Sequence, residues 1–139
     1  KNNLKNFKDF ILKDFSKTGI SQNHAFLYDA EVSSLAFNID FYADIKKLEP
    51  FGTGNPEPTF FLKDLKVIKT KIIDNKHVSL ILKFKTGFSI KAISFNSVEN
   101  KVGEYLLNYK NDINVLGHIN ENIWNNKKTL QLTIRDVIL

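Results

Sequence analysis

The chain contains no cysteine and no methionine, and it carries one tryptophan and three prolines. Without cysteine there is no disulfide framework and no thiolate metal site. The three histidines, His24, His77 and His118, are too far apart in sequence to form a local ligand pair, so no metal or other cofactor is expected in this chain. Long apolar runs are missing as well: the longest is four residues, Ala25 to Tyr28, too short for a membrane span or the core of a secretory signal. A soluble, cytoplasmic protein with no membrane partner is the expectation. With no methionine even at position 1, the chain reads as a piece of a larger protein. Arginine is also nearly absent, since nineteen of the twenty basic residues are lysine, and together with abundant asparagine this points to AT-rich coding rather than to chemistry.

What is present suffices for one modest domain and an appendage: 139 residues, 42% hydrophobic, with twelve phenylalanines for an aromatic core. The formal net charge of +5 is unevenly spread. Residues 1–17 carry a balance of +3 and residues 26–59 a balance of −4, residues 60–95 hold eight lysines against Asp64 and Asp74, and the remainder is neutral. A basic block favours a polyanionic partner, although lysines that merely solvate strand faces are the commoner cause of any single one.

Periodicity divides the chain in two. Leu4, Phe7, Phe10, Ile11 and Phe15 recur at helical spacing, predicting an amphipathic helix that stops near Gly19 and whose Phe7, Phe10 and Phe15 face could pair two copies. Ala25 to Val32 reads as a short extended segment. Asn38 is placed to cap a second helix running to about Leu48, with Asp40 near its positive end and Lys46 and Lys47 near its negative end. Beyond Phe60 the period falls to two, giving strands over Leu62–Ile68, His77–Phe84, Phe88–Phe95, Ile113–Ile119 and Leu130–Ile138. Gly87 offers a tight turn between the second and third strands, and Asn125 to Lys128 a hairpin between the last two. A helix is expected over Ser97 to Leu107, capped by Asn96 or Ser97 and weakened by Gly103. Five strands with a helix between the third and fourth match an OB-fold barrel, with an SH3-like barrel as the rival topology. The predicted fold class is therefore mainly β, with a helical segment over 1–48, a connector over 49–59 and the barrel over 60–139.

The connector holds all three prolines and two glycines: Pro50-Phe51-Gly52-Thr53-Gly54-Asn55-Pro56-Glu57-Pro58. Proline fixes φ and glycine opens conformations closed to other residues, so this run must be rigid and shaped. It resembles the Pro-Phe-Gly-x-Gly-Asn-Pro-Glu-Pro signature of the RecJ family of single-strand-specific DNA exonucleases. His77-Val78, Ile93-Ser94-Phe95-Asn96, and Asn122, Trp124, Leu130-Gln131-Leu132 and Asp136 continue the resemblance. One position departs, Asn126 standing where the family usually has glycine; asparagine tolerates positive φ best among the other residues, so the hairpin is expected to survive.

The resemblance implies the C-terminal OB-type domain of such an exonuclease, in DNA repair and recombination, with the first helix from the end of the nuclease-associated region. The parent would cleave single-stranded DNA from its 5′ end with Mn2+ or Mg2+. The Asp-His-His and Gly-Gly-His strings of that catalytic superfamily do not occur here, so the chain alone is expected to be inactive. Its expected partners are single-stranded DNA and the remainder of the nuclease chain. Docking of single-stranded-DNA-binding protein, or a purely structural clamp, are the alternatives.

Single strands are held by cationic grooves and by aromatic faces on which bases stack. The candidates are Lys83, Lys85, Lys91, Lys127 and Lys128 with Phe95, Tyr109 and Trp124. Each has a plainer reading: Phe95 as core, Trp124 as a plug in the barrel's end, Lys127 and Lys128 as turn solubilisers. His77 is expected to be structural or a hydrogen-bond donor at a strand start, not a ligand. In the connector, the amides of Gly52 and Gly54 and the side chain of Asn55 could meet a phosphate, or the segment could only position the barrel. Glu49 and Glu57 are expected to bond to backbone rather than to act as acid and base.

Overall fold

The computed structural model describes residues 27–138. The helix expected over Leu4–Gly19, with its Phe7, Phe10 and Phe15 face, lies outside the described residues. The element order is β1 (Ala30–Glu31), α1 (Ile39–Lys46), β2 (Phe60–Ile73), β3 (His77–Lys83), β4 (Ser89–Ser94), α2 (Lys101–Asn108), β5 (Ile113–Trp124) and β6 (Lys127–Ile138).

The strands pair in the order β1-β2-β3-β4-β6-β5, and β5 returns to β2, so five strands close into a barrel with β1 added at one side. This is the OB topology, with α2 between its third and fourth strands. The length of β2 makes closure possible. Phe60 to Leu65 pairs with β5, while Lys66 to Ile73 pairs with β3, and β1 runs parallel beside Phe60 and Phe61. Two register shifts flank the changeover at Leu65–Lys66, one between Leu62 and Leu65 against β5 and one between Val67 and Lys69 against β3. Such bulges bend a strand and increase its twist, as a small barrel requires.

Alternation supplies the core. Phe60, Leu62, Leu65, Val78, Leu82, Ile113, Val115, Ile119 and Leu132 are fully buried, as is Leu106 of α2. Ala30, Val32, Phe37 and Ile45 belong to the same cluster, so the segment before the connector packs onto the barrel. Several elements differ from their sequence expectation. The first barrel strand continues past Ile68 to Ile73 and the fourth past Ile119 to Trp124, which leaves only Asn125 and Asn126 in the last turn. Both have positive φ, 50° and 59°. A two-residue hairpin with both central residues left-handed follows the strands' twist, which is why Asn126 can replace glycine.

The first described helix is capped as expected, Asn38 accepting from the Phe41 amide at 2.9 Å. The second begins later than expected. Its cap is Asn100, whose side chain accepts from the Gly103 amide at 3.1 Å, while the buried Ser97 hydroxyl donates to Ser94 O. Gly103 is a requirement here rather than a weakness: a Cβ at that position would lie 1.8 Å from the Ser97 carbonyl oxygen.

Candidate nucleic-acid interface

On β4, Ile90, Ala92 and Ser94 are buried, so Ser89, Lys91 and Ile93 point away from the core. The pairings carry this outward face across the barrel. One row reads Lys69, Ile81, Lys91, Gln131, Asn120, and the next reads Lys71, Ser79, Ile93, Thr133, His118. A third begins Lys66, Lys83, Ser89. Five lysines, 66, 69, 71, 83 and 91, therefore share one face.

Among the described residues none of these five has a carboxylate oxygen within the 4.0 Å of a salt bridge. Lys66 stands directly opposite Lys83. Like charges facing each other across a ladder are destabilising, and an anion between them removes that cost. Other cations are neutralised locally. Lys63 pairs with Glu31 at 3.1 Å, Lys85 with Asp64 at 3.2 Å and Lys128 with Glu121 at 3.7 Å. The hydrogen bond and charge of Glu31 raise the Lys63 ammonium above its ordinary value.

The structure thus divides the expected residues. Lys83 and Lys91 lie on the lysine face. Lys85 is exposed like Lys83, with buried Phe84 between them, but it lies beyond the end of β3 and is tied to Asp64. Lys66, Lys69 and Lys71 were missed as site residues, although they belong to the basic block. Simple alternation along β2 fails because the shift between Val67 and Lys69 changes the phase; no local sequence signal marks that shift.

The aromatic candidates also separate. Trp124 is 73% exposed, so it does not plug the barrel, and Phe95 at 55% is not core. Tyr109 packs against the core from the end of α2 and does not join the lysine face. Trp124 pairs with Lys127 beside the last turn. Because β4 and β6 run parallel, with Lys91 opposite Gln131, that turn lies toward the same end of the barrel as the β3–β4 turn. Phe95 lies toward the opposite end, where β4 finishes. Its ring meets His77 edge-on at 5.2 Å between centroids. His77 is an acceptor rather than a donor: its Nδ1 accepts the Asn96 amide proton at 2.9 Å.

The connector adjoins this face. Nδ1–H of His118, in the second row, donates to Pro58 O at 2.8 Å. Asn55 Nδ2 donates to Leu48 O at 2.7 Å and to Pro50 O at 3.0 Å, so its amide group braces the connector instead of awaiting a phosphate. The Gly52 and Asn55 amides each donate to the other's carbonyl, at 2.9 and 3.0 Å. Phe51 packs against the core, Pro58 is buried, and the Thr59 amide donates to the Asp29 carboxylate at 2.8 Å. These bonds hold the connector in one shape against the barrel. Among the described residues no group of three or more His, Asp or Glu is placed to hold a metal ion, and no helix is long and apolar enough to cross a membrane.

Comparison with known proteins agrees with this architecture. The RecJ OB domain family matches residues 28–136. Among solved structures the chain is similar to RecJ from Thermus thermophilus in complex with Mg2+, at 22% identity and a TM-score of 0.52, over 69% of this chain and 14% of that one. It is likewise similar to RecJ from that organism in complex with Mn2+, at 21% identity and a TM-score of 0.53, over 70% of this chain and 13% of that one. At such identities the likeness is one of fold, and the chain spans about one seventh of the length of those structures. No curated protein matches it.

Proposed function

The chain belongs to the RecJ OB-domain family, and from that premise we propose that its barrel grips single-stranded DNA along the lysine face, serving a 5′→3′ exonuclease whose catalytic part lies elsewhere in a longer chain. The observation that carries this reading is the facing pair Lys66 and Lys83, with Lys69, Lys71 and Lys91 beside it and no carboxylate in reach among the described residues.

A chain that only needed solubility would gain nothing from two unpaired ammonium groups in direct register. Phosphates spaced along a flexible strand fit such a surface. Exposed rings toward both ends, Phe95 and Trp124, give bases somewhere to stack, each stack contributing roughly 1–3 kcal/mol. From Lys127 to Arg135 strand β6 covers about 26 Å at ~3.3 Å per residue, a length suited to the ~4–16 nucleotides that one OB barrel occupies. The braced connector would hold this face at a fixed angle to the nuclease. Divalent metal chemistry, Mn2+ or Mg2+, belongs in this reading to that absent part.

Fluorescence anisotropy of a labelled oligothymidine, titrated with the 139-residue chain at low and moderate salt, tests the proposal. Salt-sensitive binding that weakens when Lys69 and Lys91 are replaced by alanine is expected. Binding that ignores these lysines, or none at low salt, overturns it.

A further inference from the structure

The chain's one arginine is Arg135, and its position is unusual. Leu116 pairs with Asp136 while Gly117 pairs with Ile134, so Arg135 is the extra residue of a β-bulge and faces no partner on β5. Bulges re-aim the side chains they carry. Arg135 is exposed, and among the described residues no carboxylate oxygen lies within 4.0 Å of its guanidinium. The neighbouring Asp136 carboxylate is turned to the Val137 amide, which donates to it at 2.8 Å.

Arg135 lines a small cleft of ≈ 110 Å³ with Phe95, Ser97 and Asn100. Phe95 remains 55% exposed although its ring is propped edge-on by His77, and His77 is itself fixed by the Asn96 amide. The cleft therefore joins a held aromatic ring to an unpaired guanidinium. At nineteen other basic positions lysine serves. Arginine differs from it in presenting a rigid, planar fork of N–H donors that can take two oxygens of one phosphate at once, which an ammonium cannot do.

We propose that Phe95 and Arg135 together bind a single nucleotide of the strand, the ring taking the base and the guanidinium fork gripping the adjoining phosphate. The proposal rests on the DNA-binding reading above and gives it a fixed point. Lysines act as point charges and let a strand slide, whereas a bidentate phosphate contact beside a stacked base sets one register.

The test uses the 139-residue chain and a short labelled oligothymidine, with anisotropy measured over a range of salt for Phe95→Ala, Arg135→Ala, Arg135→Lys and Phe95→Ala/Arg135→Lys, and for Lys69→Ala/Lys91→Ala as the control for the lysine face. Phe95→Ala is expected to weaken binding by roughly 5- to 150-fold, the range for losing one base stack. Arg135→Ala should weaken it and flatten the log–log salt slope by about 0.7, one phosphate contact. Arg135→Lys should lose affinity while keeping the slope, and the double variant's loss in binding free energy should be smaller than the sum of the two single losses. Arg135 variants should melt at the wild-type temperature, that side chain being exposed, and Phe95→Ala only slightly below it, since its half-exposed ring also packs edge-on against His77. If Arg135→Lys binds as well as wild type, the subsite is wrong even though the lysine face stands. If the wild-type chain shows no salt-sensitive binding, both fall together.

Discussion

Replacing Lys83 by glutamate should move stability and binding in opposite directions. In the wild type, Lys83 faces Lys66 across the β2–β3 ladder and neither has a carboxylate partner among the described residues. Lys83→Glu converts a repulsive pair into an attractive one. Cross-strand pairs of this kind differ by about 0.2–1 kcal/mol, and in a domain near this size 1 kcal/mol moves the melting temperature by about 4–8 °C, so a rise of roughly 1–8 °C is expected. The same change removes one phosphate contact and places a negative charge in the path of the strand. The log–log slope of affinity against salt should become shallower by about 0.7, and affinity should fall most at low salt, where charge repulsion is least screened. Thermal melting by circular dichroism and anisotropy at three or more salt concentrations read the two effects separately. A variant that melts higher and binds DNA as tightly as the wild type would refute the assignment of this face. A variant that melts lower would refute the repulsion argument itself.

Three further outcomes are expected. Trp124→Ala should leave the melting temperature nearly unchanged, because the ring is 73% exposed, while weakening oligonucleotide binding by about 1–3 kcal/mol if it stacks a base; equal affinity would remove it from the interface. Gly103→Ala should destabilise the barrel by about 1–3 kcal/mol or more in chemical denaturation, since the new Cβ would meet the Ser97 carbonyl oxygen 1.8 Å away and backbone must shift to admit it. Asn55→Ala should remove the bonds to Leu48 O and Pro50 O, so limited proteolysis should cut sooner within 48–58 while the barrel core stays resistant; an unchanged cleavage rate would show that the prolines alone hold the connector.

Much of the barrel was legible because it rests on local rules. Period-two alternation marks Val78, Leu80 and Leu82 as inward and their neighbours as outward whatever they pair with. The positive φ angles at Gly87, Asn125 and Asn126 fall at residues that accept them, so the β3–β4 and β5–β6 turns could be placed, while the β2–β3 turn at Asp74 and Asn75 was not. Asn38 caps its helix through bonds within four residues, and the connector's rigidity follows from its proline content. Departures arose where contacts outside the local pattern decided. α2 starts at Lys101, after its Asn100 cap, where the Val98 amide donates to Lys76 O at 3.2 Å and Gly103 lies against the Ser97 backbone. β5 runs on past Ile119 to Trp124, and β4 ends at Ser94, so both Trp124 and Phe95 are exposed, which sets the plug and core readings aside.

Side-chain chemistry and backbone preference acting within a few residues are enough to mark the alternating stretches after Phe60, the turns at Gly87 and at Asn125–Asn126, and the concentration of positive charge in residues 60–95. Which charges act together depends instead on how the strands pair in three dimensions. Glu31 takes Lys63, Asp64 takes Lys85 and Glu121 takes Lys128, which withdraws three lysines from the basic block and the last hairpin. The bulges at Val67–Lys69 and at Arg135 re-aim the side chains around them. The Lys63 and Lys85 pairs join residues far apart in the chain, whereas both bulges lie in hairpins of consecutive strands, whose register is fixed by closing the barrel around its core.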